Sequence, residues 1–129
     1  MKTKKRLGIW MDHSIAHLIE LTNDSMVTKT IESESKGQEK EQDSYKDESF
    51  KLSKEQSFLS AFFKKLSTVI KDYDEVVLFG PTSAKNELFN TLKDNHLFEK
   101  IKIEVKSADK MTQNEQHAFV EEYFSGSYN

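Results

Sequence analysis

The chain has no cysteine, a single proline and four glycines in 129 residues. Without cysteine there is no disulfide framework, no thiolate metal site and no thiol nucleophile, a usage that suits a reducing compartment. Long apolar runs are missing as well. The basic start MKTKKRLGIWMDHS leads only into the short run Leu7 to Met11, too brief for a signal-peptide core or a membrane span. A cytoplasmic protein with no membrane contact is expected. A dominant charge is also lacking, because the net value of -3 is concentrated in one stretch. Glu32 to Ser49 holds seven acids against Lys36, Lys40 and Lys46, so the remainder is close to neutral. Such a chain has no general field to attract nucleic acid, and only Lys2, Lys4, Lys5 and Arg6 form a local basic tail.

What is present reads as one α/β domain over residues 1–129. Leu7 to Met11, Ile15 to Leu21 and Met26 to Ile31 are strand-length apolar runs, the last two separated by the turn residues Asn23-Asp24-Ser25. They predict an antiparallel meander. Between about 33 and 51 the chain is polar and acidic, with Tyr45 and Phe50 its large apolar residues, which predicts a mobile insertion. Ser53 and Gln56 have capping-box spacing, and Phe58, Leu59, Phe62, Phe63, Leu66, Val69, Ile70 and Tyr73 then recur at helical spacing. Val76 to Phe79, ended by Gly80-Pro81, reads as a central strand covered on both faces. A helix over about Ser83 to Asp94 follows, then a strand in which Ile101, Ile103 and Val105 alternate with Lys102 and Glu104, one face exposed. Thr112 and Glu115 make a capping box for a last helix burying Phe119, Val120, Tyr123 and Phe124.

The order β-β-β-α-β-α-β-α, with right-handed crossovers, is that of a ribonuclease H-like fold with a five-stranded mixed sheet. The first strand is expected beside the fourth, their chains leaving toward opposite faces and making a crevice at their carboxyl ends. Asp12-His13-Ser14 should face Gly80-Pro81-Thr82-Ser83 there. The third strand, at an edge, offers a route to a homodimer.

Nuclease chemistry of that fold needs acids from the first strand, the first helix and the end of the fourth strand, because its two metals bridge the attacking and leaving oxygens. Asp12 supplies the first, but the fourth strand ends in Phe79-Gly80-Pro81 and the helix face is Phe and Leu. His13 and His17 have a helical zinc spacing but lie on a strand, where four residues span roughly 13 Å, so they cannot share a metal. His17 falls in the row Ile15, His17, Ile19, Leu21 as a partly buried structural residue, while His96 and His117 are expected to face solvent. Asp12-His13-Ser14 has triad residue types, but three successive residues cannot form a triad by themselves. No catalytic residue, metal ligand or cofactor is assigned. Gly80-Pro81-Thr82-Ser83-Ala84-Lys85 lacks P-loop spacing, yet Thr82 or Ser83 caps a helix whose free N–H groups, with Lys85, are suited to an anionic group.

Three segments, Trp10 to Ala16, Gly80 to Leu88, and Asp109 through Gln116 with Ala118 to Phe124, resemble a family of small bacterial translational machinery proteins. That family is related in fold to the middle domain of eukaryotic and archaeal peptide-chain release factors. The resemblance covers nearly the whole chain apart from the insertion. It implies a stand-alone, non-enzymatic binding module associated with translation, contacting the ribosome, RNA or a translation factor. The polar motif positions it implies are Asp12, His13, Lys85, Asp109, Thr112 and Gln116. Release-factor middle domains act through a Gly-Gly-Gln loop, and Gly8, Gly37, Gly80 and Gly126 are all isolated, so peptidyl-tRNA hydrolysis is not expected. Two other readings stay open: a small hydrolase or transferase at the Asp12, His13 and Lys85 end, and a protein-interaction module using the acidic insertion.

Overall fold

A computed structural model describes residues 5–22, 25–33 and 48–125. The five strands are β1 (Arg6–Met11), β2 (Ile15–Leu21), β3 (Met26–Glu32), β4 (Glu75–Gly80) and β5 (Lys102–Ser107). With them go helices α1 (Glu48–Ile70), α2 (Ala84–Lys93) and α3 (Gln113–Phe124), and a 3-10 turn at His96–Phe98. The sheet order is β3-β2-β1-β4-β5, with β1 antiparallel to β2 and parallel to β4. The mixed α/β architecture and the neighbouring β1 and β4 are as the sequence predicts.

Strand alternation builds two cores. Leu7, Ile9 and Met11 of β1 with Val76 and Leu78 of β4 bury against Phe62, Phe63, Leu66 and Ile70 of α1 and Ala84, Leu88 and Leu92 of α2. The alternate residues Trp10, Val77 and Phe79 pack with Ile19 against Val120 and Phe124 of α3. β4 is buried on both sides, which explains its unbroken apolar run. On the α3 face Gly8 is required by close approach, because an added Cβ would lie 2.3 Å from Val120 Cγ2.

Several expectations need correction. Helix α1 starts at Glu48, so Ser53 and Gln56 lie inside it and the insertion cannot extend to 51. Glu, Lys and Gln are good helix formers, and once the apolar turns are docked, upstream residues extend the helix at little cost. At the other end Ser33 is buried and its N–H donates to the Ser14 carbonyl, continuing the β2–β3 pairing. The acidic stretch between them lies outside the described residues. The chains of β1 and β4 do not leave toward opposite faces: β1 turns within the sheet into β2, and α2 joins α1 on one face. β5 also lacks the fully exposed face expected of it, since the Tyr123 hydroxyl of α3 donates to Glu104 and Lys106 lies 5.9 Å from the Tyr123 ring.

Just beyond α1, the Tyr73 hydroxyl donates to Glu20 Oε1 of β2 at 3.0 Å. Burial, then the Glu20 carboxylate, pushes its pKa up from 10.0 to about 12, because a phenolate there is poorly hydrated and faces a negative charge. The contribution is fully present below pH 10, where the phenol is neutral in both states. It is lost as pH rises toward 12, because the unfolded chain ionises first. We expect Tyr73→Phe to flatten the alkaline fall in stability between those values, measured by denaturant midpoints at a series of pH values.

Candidate functional site

Three connections meet at the carboxyl ends of β1, β4 and β5: the β1–β2 turn, the β4–α2 turn and the β5–α3 loop. In the first, Asp12 Oδ1 accepts from the N–H of Ser14 at 2.7 Å and of Ile15 at 2.9 Å, while the Asp12 N–H donates to the Ile15 carbonyl. A carboxylate fixed by two backbone donors shapes a turn. His13 is projected outward, and its Nε2 lies 3.2 Å from both carboxylate oxygens of Glu87, one turn into α2. Glu87 Oε2 also accepts from Ser83 Oγ at 3.0 Å. His13 and Glu87 are both well exposed, so their contact offers polar groups to solvent and adds little stability.

The start of α2 departs from expectation. Ser83 stands at the N-cap position, but its hydroxyl caps no backbone N–H and is spent on Glu87; Thr82 Oγ1 instead accepts from the Ala84 N–H at 3.2 Å. Lys85 is 5% exposed, and its ammonium donates to the Thr82 carbonyl. The cation therefore braces the turn from within, and the Glu87 carboxylate occupies the outer side of the helix start. An anion-receiving role for Lys85 has no support in this geometry.

The β5–α3 loop is tied to the β4–α2 turn by the Ala108 N–H, which donates to the Gly80 carbonyl at 3.3 Å. Asp109 is exposed. Thr112 and Glu115 form the predicted capping box, with Glu115 N–H donating to Thr112 Oγ1 and Thr112 N–H to Glu115 Oε1. Gln116 is buried, its Nε2 donating to the Met111 carbonyl at 3.1 Å. All eight candidate residues thus belong to one end of the sheet, but His13, Ser83 and Glu87 form the direct cluster, and Asp12, Lys85 and Thr112 are committed to their own turns. Glu87 was missed, although its place four residues after Ser83 on a helix was a readable signal.

The remaining histidines sort by environment. His17 is part-buried, its ring 5.6 Å from that of Trp10 and its Nδ1 3.3 Å from Thr30 Oγ1. His117 does not simply face solvent, since its Nε2 pairs with Thr28 Oγ1 at 2.7 Å across to β3. His96 is exposed and pairs with Glu99. Among the described residues no three His, Cys, Asp or Glu side chains gather to hold a metal, and no helix is long and apolar enough to cross a membrane.

Neither a protein-family model nor a curated protein sequence matches the chain. Solved structures do. The Thermoplasma acidophilum Pelota protein superposes with a TM-score of 0.61 at 13% identity, covering 91% of this chain and 32% of that one. Archaeoglobus fulgidus Pelota, whose structure shows inter-domain plasticity, gives 0.61 at 10% identity, covering 95% and 32%. This chain therefore spans about a third of the length of those proteins, and at such identities the likeness establishes a shared fold.

Proposed function

We propose that this protein is a cytoplasmic, non-enzymatic binding module of the translation apparatus, with the three-loop end of the sheet as its contact surface. The observation that carries the reading is the superposition of nearly the whole chain on one third of two Pelota proteins. The segments that resemble the translational machinery family supply all three loops at that edge. Binding is favoured over catalysis because Asp12 is held by backbone N–H groups and Lys85 by a carbonyl, which leaves neither free to act on a substrate. On this reading His13, Thr82, Ser83 and Asp109 meet the ribosome, RNA or a translation factor. Asp12, Lys85, Thr112 and Gln116 hold the loops in place for them.

The test is sedimentation of the tagged protein with ribosomes at low and moderate salt. Co-sedimentation is the expected result, and recovery wholly in the supernatant at both salts would overturn it. His13→Ala should reduce the pelleted fraction several-fold while leaving the unfolding free energy within about 0.5 kcal/mol of wild type, as suits an exposed residue. Equal losses of binding and stability would show that His13 acts only as a structural brace.

A further inference from the structure

Beneath the β5–α3 loop lie two polar atoms, one on Gln116 and one on Trp10, that the contact surface leaves unused. Gln116 is 3% exposed and its Nε2 donates to Met111, but its Oε1 accepts from no group among the described residues. Trp10 is 7% exposed and its indole N–H has no acceptor among the described residues. Buried polar atoms are ordinarily paired, so each exception calls for a reason.

The two residues are neighbours by register. α3 runs antiparallel to β1, with the Arg6 guanidinium 5.8 Å from the Phe124 ring and Gly8 pressed against Val120. Four helical residues advance about 6 Å and two strand residues about 6.6 Å. The next matched step therefore brings Gln116 level with Trp10. An unused acceptor and an unused donor sit at one height on the same face of the sheet.

A group that satisfies both must present an acceptor beside a donor. A trans peptide points its C=O and N–H in opposite directions, whereas the hydrogen-bonding edge of a nucleobase carries them side by side. The His17 ring next to Trp10 supplies an aromatic neighbour of the kind on which unstacked bases rest. The cover is thin, for residues 108–112 are irregular chain, and Met111, unbranched and readily repacked, lies on the Trp10 cluster. We propose that Trp10 and Gln116 form a subsite for one nucleobase edge, reached when Met111 swings aside, so that an RNA strand crossing the loop end inserts an unpaired base there. The inference rests on the reading that this end of the sheet meets the translation apparatus, and specifies RNA as the contact.

Trp10 is the only tryptophan, so its emission reports on the subsite directly. The probes are a short oligouridylate, the same oligomer built from 5-methyluridine, whose base edge is intact, and one built from 3-methyluridine, whose N–H donor is blocked. The first two should shift or quench Trp10 emission saturably and alike. The third should bind on the order of tenfold more weakly, because it leaves the Gln116 acceptor unpaired. Gln116→Met, similar in volume but without the acceptor, should lose this discrimination; if that variant does not fold, the three oligomers on the wild-type protein still decide the matter. Unchanged emission, or equal binding of the 3-methyl oligomer, overturns the subsite. Ribosome co-sedimentation without an emission response leaves the translation reading intact and removes the subsite. Donor-sensitive quenching without co-sedimentation does the reverse.

Discussion

Phe62→Ala should destabilise the protein by about 3–5 kcal/mol, the usual consequence of truncating a fully buried aromatic ring. Phe62 is 1% exposed and sits where α1 meets the sheet, its ring centroid 6.1 Å from that of Phe63 and in one cluster with Ile9, Leu18 and Leu78. The neighbours come from a helix and three different strands, so no single element can move to close the cavity. Native domains have only about 5–15 kcal/mol in hand, so much of the stability would go. Urea unfolding followed by circular dichroism measures it, with Lys64→Ala on the exposed side of the same helix as control. The control should stay within about 0.5 kcal/mol. An unchanged midpoint for Phe62→Ala would mean that α1 turns a different face inward.

Gly80→Ala should be comparably damaging for another reason. Gly80 has φ +147°, a conformation that side chains resist, and an added Cβ would stand 2.2 Å from the Met11 carbonyl oxygen. Backbone strain of this kind costs about 1–3 kcal/mol before any collision is counted. The collision is with main chain of the central strand, which has no rotamer to change. Gly8→Ala makes a contrast: its obstacle is the Val120 side chain, so adding Val120→Ala should recover part of the loss. No second-site truncation should rescue Gly80→Ala. Denaturant midpoints of the two single variants and the one double variant test this, and a mild Gly80→Ala would show that the β4–α2 turn relaxes freely.

The elements that could be read from the sequence are those whose evidence is local. β4 announced itself by four consecutive apolar residues between charges and Gly-Pro, and α3 by a capping box that the structure reproduces atom for atom. The start of α1 was hidden because Glu, Ser, Lys and Gln also make up polar loops, and what decides between the two is docking further along. At the site, the position of each residue at one end of the sheet followed from topology, but its partner did not. His13 meets Glu87 across 74 residues of chain, and no spacing rule spans that distance. Lys85 looked like a surface cation because lysine usually is one. Its burial depends on a carbonyl three residues back, aimed by the turn that Gly80 permits. Gly8 was legible in principle, since a glycine inside a strand signals close backbone approach.

The pairing at the centre of the sheet also sets a timetable for synthesis. The amide of Lys5 is held by the Asp74 carboxylate 69 residues later, and the parallel ladder of β1 with β4 begins at that point. At roughly 5–20 residues per second, β1 waits on the order of several seconds after emerging before its partner exists. During that interval Leu7, Ile9 and Met11 have at most the meander beside them and an open edge on the other flank. The nascent chain thus presents an apolar strand with one unpaired edge to whatever waits at the exit of the ribosome, and a slow stretch of translation before β4 would lengthen that exposure.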